Sequence, residues 1–98
     1  MNYISPKDWI ENFSNNTDYQ LIDIRESYES VDSKINCLQI PMDELASHPE
    51  KISSTIKTVL LCHSGQRAAA LANLLETEFK KTPIFVIEGG YASLSEML

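Results

Sequence analysis

The stretch from Thr58 to Ala70, Thr-Val-Leu-Leu-Cys-His-Ser-Gly-Gln-Arg-Ala-Ala-Ala, constrains the fold of this chain more than any other. Its first part is an uninterrupted apolar run with no polar face to turn to water, so it reads as a strand buried on both sides. The polar loop after it gives way at Gln66 to a helix-prone run, and the unit is strand, loop, helix. Cys62 then stands at the carboxyl end of a buried strand, facing the amino terminus of the next helix. Unpaired N–H groups and the helix dipole favour an anion there. Such a setting favours the thiolate, the nucleophilic form of cysteine. The competing reading is a buried cysteine that acts as a small hydrophobe. Gly65, which allows a tight curl, and Arg67, which adds positive charge, favour the reactive thiol.

The same alternation runs through the rest of the chain. Ser5-Pro6-Lys7-Asp8 carries a helix start, with Ser5 as N-cap and Pro6 at the first helical position, and predicts a helix over about 6–13. Asn15 to Asp18 is a turn cluster, and Tyr19 to Ile24 reads as a short buried strand ending in Asp23-Ile24-Arg25-Glu26. Glu26 to Val31 is a short helix, and Cys37 to Ile40, closed by Pro41, is a second strand. Asp43 caps a helix through Glu44, Leu45 and Ala46, which His48-Pro49 interrupts before a turn at 50–52. Lys57 to Leu61 is the third strand. From Gln66, Ala68, Ala69, Leu71, Ala72, Leu74, Leu75 and Phe79 recur at helical spacing and predict one apolar face. Pro83 to Ile87 is a further strand, Glu88-Gly89-Gly90 a turn, and Ser93 to Leu98 a terminal helix.

Strands alternating with helices, each strand too apolar for a one-sided sheet, imply an α/β fold with a central parallel sheet covered on both faces. Ligands of such sheets bind outside the carboxyl ends of the strands. Cys62 lies at one such end, Asp23 to Glu26 and Glu88 to Gly90 at two others, so Asp23, Arg25, Glu88 and Gly89 are candidates for the site edge. Asp23 and Arg25 equally suit an ion pair or helix cap that shapes this edge.

Read with those landmarks, Cys62-His63-Ser64-Gly65-Gln66-Arg67-Ala68 resembles the active-site loop of single-domain rhodaneses, the sulfurtransferases, whose pattern is Cys-x-x-Gly-x-Arg-Ser/Ala. Leu21 to Glu26 with Tyr28-Glu29, Ile40-Pro41 before Asp43-Glu44-Leu45, and Val86 to Gly90 match the family in order. The resemblance implies a rhodanese-like sheet of about five strands, with Tyr3-Ile4 as a first strand, in a single domain over 1–98. It implies Cys62 as the catalytic persulfide carrier and His63, Ser64, Gly65, Gln66 and Arg67 as its substrate-binding loop. The donor would be a small thiosulfate-like anion or a persulfide-bearing protein, with no cofactor and no metal. Phosphatases and arsenate reductases of the Cdc25 type place one residue more between Cys and Arg. Here four residues, His63 to Gln66, intervene, which favours sulfur over phosphorus. A non-catalytic or relay module on the same fold is the other alternative. The chain departs from the family at 32–37, where the usual glycines and histidine are missing, and at 91–94, where a Trp is common and Tyr91-Ala92-Ser93-Leu94 stands.

Charge narrows the partners. Among 98 residues, Asp and Glu outnumber Lys and Arg by 14 to 8, for a net charge of −6, and the cations are scattered. That argues against nucleic acid or an anionic membrane as partner. No apolar run approaches the roughly 18 residues of a membrane span, and the amino terminus has neither a basic nor an apolar leader region, so a cytoplasmic location is expected. Cys37 and Cys62 match no zinc-ligand spacing, and free thiols in a reducing compartment are expected. Cys37 is expected to pack beside the second strand, and His48 to be an exposed loop residue.

Overall fold

Val59, Leu60 and Leu61 are each completely buried although they are consecutive, which requires both faces of their strand to be covered. The computed structural model, which describes residues 1–26, 35–81 and 83–98, shows how. Five strands form one sheet: β1 (Asn2–Ile4), β2 (Tyr19–Asp23), β3 (Leu38–Gln39), β4 (Lys57–Leu61) and β5 (Ile84–Ile87). Their spatial order is β1-β5-β4-β2-β3, and every pairing is parallel. In the register of β2 and β4, Leu21 lies opposite Val59 and Asp23 opposite Leu61. All carboxyl ends therefore share one edge. The expected first strand is present, and the second is shorter than expected, with Cys37 and Ile40 outside it.

Alternation along β4 sends its side chains to two cores. Leu60 and Cys62 pack with Ile22, Ile24, Leu45, Ile52, Ala68, Leu71, Ala72 and Leu75, while Val59 and Leu61 pack with Ile4, Trp9, Leu21, Ile87 and Leu94. The first core is roofed by α2 (Met42–Ser47) and α3 (Gln66–Glu78). Ala68 and Ala72, completely buried, keep α3 close to the sheet. Two members of the expected apolar face fail: Leu74 is 36% and Phe79 40% exposed. Leu71 and Leu75 already fill the stripe that the sheet covers, and Leu74 falls beside it. The Glu76 carboxylate accepts the Ile84 N–H at 3.0 Å and ties the end of α3 to the start of β5.

The second core is covered by the N-terminal helical segment and by α4 (Gly90–Ser95). Ser5 caps α1 (Pro6–Asp8) by accepting the Asp8 N–H at 3.1 Å, as the sequence predicts. The helix then widens into a π-helical turn over Trp9–Phe13, which buries Trp9. The rings of Phe13, Tyr19 and Phe85 pack in sequence, the first pair tilted and the second edge-on, with centroids 4.7 and 5.8 Å apart. Three local expectations are corrected. Pro41, not Asp43, is the N-cap of α2, and Asp43 lies in its first turn. The turn after His48 is a 3-10 turn at Pro49–Lys51. The terminal helix begins at Gly90 rather than Ser93, because Gly89 and Gly90 adopt positive φ and start it directly. The short helix expected at 26–31 falls almost wholly outside the described residues. Among the described residues no helix is long and apolar enough to cross a membrane.

Candidate active site

Cys62 is the residue that follows β4, and the chain curls from it into α3. Gly65 makes this curl possible with φ +93°, a backbone conformation in which a side chain would be strained, although a Cβ there would meet the Ile87 carbonyl and the Gly89 and Gly90 amides only at ordinary contact distances of 3.5–3.6 Å. As N-cap of α3, Gly65 has no side chain to offer the first-turn amides. The Cys62 sulfur takes that role. Its Sγ accepts the Gly65 N–H at 3.1 Å and the Ala68 N–H at 3.3 Å. Ala68 is the third residue of α3, the position whose N–H a capping side chain ordinarily satisfies. An acceptor so placed meets the positive end of the helix dipole, and a sulfur anion is a stronger acceptor than a thiol.

The outside of the loop is held by α4. The Tyr91 N–H donates to the Cys62 carbonyl at 2.7 Å and the Ala92 N–H to the His63 carbonyl at 2.9 Å. Such proximity requires glycine at position 90. A Cβ there would lie 2.5 Å from both of those carbonyl oxygens and 2.7 Å from the Gly65 nitrogen. Two segments from distant parts of the chain thus enclose one sulfur, which is completely buried.

Of the predicted loop residues, His63, Ser64 and Gln66 are exposed and Arg67 is half-buried. Ser64, Gly65 and Gln66 line a cavity of about 440 Å³ beside the loop with Tyr3, Ala69, Glu88 and Gly89. Glu88 and Gly89 therefore reach the loop. Asp23 and Arg25 pair with each other. The Arg25 guanidinium donates to the Asp23 carboxylate from Nε at 3.1 and 3.2 Å and from an η nitrogen at 2.9 Å, and the Arg25 N–H adds a bond of 3.0 Å to Oδ1. Both residues are buried, and the guanidinium carbon lies 4.3 Å from the centre of the Tyr91 ring. The pair reaches the Cys62 loop through the Tyr91 ring.

Cys37 belongs to the core on the other face of the sheet from Cys62, and both cysteines are free. Burial, reinforced by the negative charge of Asp23, raises the Cys37 pKa above its ordinary 9.0, against the opposing effects of Arg25 and the Asp23 backbone. His48 is exposed and lies 3.1 Å from Glu50. Ala68, Gly90, Tyr91 and Ala92 are contributions that the sequence reading missed. The Gly89-Gly90 pair was the visible signal, since paired glycines mark a close backbone approach, but nothing local says which loop is approached.

Comparison with known proteins follows this geometry. The model of the rhodanese-like domain matches residues 6–97, and the chain belongs to that family. No curated protein matches it significantly. Among solved structures, it is similar to a rhodanese-related protein from Thermoplasma volcanium, with 28% identity, a TM-score of 0.80, and coverage of 99% of this chain and 93% of the other. A rhodanese-like domain protein from Staphylococcus aureus is 21% identical, with a TM-score of 0.81 and coverage of 96% and 91%. A protein from Rhodopseudomonas palustris described as of unknown function and a possible tyrosine phosphatase is 18% identical, with a TM-score of 0.80 and coverage of 99% and 81%. At the identities of the last two, the likeness is one of fold.

Proposed function

We propose that this protein is a sulfurtransferase that carries sulfane sulfur as a Cys62 persulfide. The observation that supports this reading most is the Cys62 sulfur itself, met by the amides of Gly65 and Ala68 at the start of α3. In the first half-reaction the thiolate attacks the outer sulfur of a donor such as thiosulfate. The new S–S bond forms as the donor's S–S bond breaks, and sulfite leaves with the bonding electron pair. The enzyme then holds Cys62–S–S⁻, and N–H donors of the loop would stabilise its terminal charge. In the second half-reaction a nucleophilic acceptor such as cyanide or a thiol takes the terminal sulfur, and the thiolate is restored. Arg67 supplies supporting positive charge at the start of α3. No cofactor takes part.

Two-step covalent transfer predicts parallel double-reciprocal lines when thiosulfate and cyanide are varied, and loss of turnover in Cys62→Ser. Intersecting lines, or turnover that survives the substitution, would refute the mechanism. A second reading, relay of sulfur from a persulfide-bearing protein, is favoured by the cavity beside the loop: among its lining residues the charged one is Glu88, which repels a small dianion. Faster loading from a protein persulfide than from thiosulfate would select it. Phosphatase activity is the disfavoured alternative because the loop has four residues between Cys62 and Arg67. Hydrolysis of an aryl phosphate that depends on Cys62 would reverse that preference.

A further inference from the structure

The peptide planes of the Cys62 loop have a polarity, and something must set it. A trans peptide points its C=O and N–H in opposite directions. The Cys62 carbonyl is turned outward to the Tyr91 N–H and the His63 carbonyl outward to the Ala92 N–H, so the amides of His63 and Ser64 are turned to the inner side of the loop. If either plane flipped, a carbonyl oxygen would replace an N–H there, and an oxygen dipole repels a sulfur anion. The donors that prevent this belong to the first turn of α4, a helix of only six residues that follows two glycines with positive φ. Backbone of that kind needs an external anchor.

Tyr91 provides one. Its ring lies against the Arg25 guanidinium at 4.3 Å, and that guanidinium is fixed by three side-chain contacts to Asp23 at the end of β2. The Asp23 backbone is fixed in turn by the sheet, opposite Leu61 and next to Cys62. A closed circuit results: β4 leads to the loop, the loop to α4, Tyr91 to Arg25, and Asp23 back to β4. We infer that Tyr91 is a positioning residue, which uses the Asp23–Arg25 pair as a fixed platform to keep the Cys62 loop in its amide-inward form. Tyr91 acts through its own N–H and the placement of the Ala92 N–H. The inference takes from the sulfurtransferase reading only that Cys62 is the reacting residue.

The test measures the nucleophilicity of Cys62 without requiring sulfur transfer. Wild type, Tyr91→Phe and Tyr91→Leu are alkylated with iodoacetamide across pH 5 to 10, with Cys62 and Cys37 resolved by peptide mass, and folding is checked by circular dichroism. A ring without the hydroxyl still packs on the guanidinium, so Tyr91→Phe should alkylate Cys62 faster than the aliphatic variant. Tyr91→Leu should fold and alkylate Cys62 about five-fold more slowly at pH 7, the order expected for loss of one partly buried cation–π contact. Where Tyr91→Leu does not fold, Tyr91→Met takes its place with the same expectation. An aliphatic variant with the wild-type rate and profile would overturn the inference, and so would a Tyr91→Phe variant as slow as the aliphatic one. Failure of the sulfurtransferase reading has a separate signature: no persulfide in any variant, wild type included, with the alkylation pattern unchanged.

Discussion

At the scale of single residues, the consequential charges among the described residues are the buried Asp23 and Arg25. Asp23 and Arg25 leave water together, and a buried pair owes its tolerance to the completeness of its hydrogen bonds. Arg25→Met keeps the volume but leaves the carboxylate without its guanidinium, and should lower unfolding free energy by about 3–5 kcal/mol in urea titrations. Adding Asp23→Asn should restore a measurable part of that loss, and a double variant no more stable than Arg25→Met would show that the pair is not the unit. Cys37 gives a pH signature. Its folded pKa is raised, chiefly by burial and then by Asp23, so the unfolded chain loses this proton first as pH rises. The contribution of this group to stability is complete below the ordinary thiol pKa of 9.0 and declines above it. Thermal unfolding between pH 8 and 10.5 should show a decline that is shallower in Cys37→Ala.

At the scale of elements, the site is a contact between two turns, the Cys62 loop and the Gly89–Gly90 corner. Gly90→Ala inserts a methyl into the space of two carbonyl oxygens and forces the start of α4 away from the loop. The protein should remain folded, with a stability loss of about 1–3 kcal/mol for the strained position. Cys62-dependent turnover should fall at least about ten-fold, the modest end of what a displaced set of backbone donors costs. Unchanged turnover in a folded Gly90→Ala would separate α4 from the chemistry. Elements with a strong local signal were legible in advance. The bounds of β4 were read correctly because its apolar run is uninterrupted, and Ser5-Pro6 announced α1. The start of α4 was not, because two glycines resemble a turn until their positive φ is known. Leu74 and Phe79 were misplaced because helical spacing defines a stripe while the width of the sheet decides how much of it is covered. Asp23 and Arg25 were visible as a motif at a strand end, but Tyr91, the ring that Arg25 packs against, is far away in sequence, so the sequence left both a binding edge and an ion pair open.

At the scale of the whole molecule, a central sheet with a core on each face makes β4 common to both, since Leu60 and Leu61 are buried on opposite sides. We propose that the chain unfolds as one unit. Leu21→Ala and Leu71→Ala, which open cavities in different cores, should each cost about 2–5 kcal/mol. Both should shift one cooperative urea transition without changing its slope, and two separated transitions in either variant would contradict this. This architecture places Cys62 at the junction of strand and helix, where the sheet fixes its backbone and α3 supplies the Ala68 donor. The central claim is that Cys62 carries sulfur, and intact-protein mass spectrometry tests it most directly. After incubation with thiosulfate or a persulfidated protein donor, wild type should gain one sulfur atom, which cyanide removes, and Cys62→Ser should gain none. No added sulfur from either donor, or an adduct that persists in Cys62→Ser, would contradict the account.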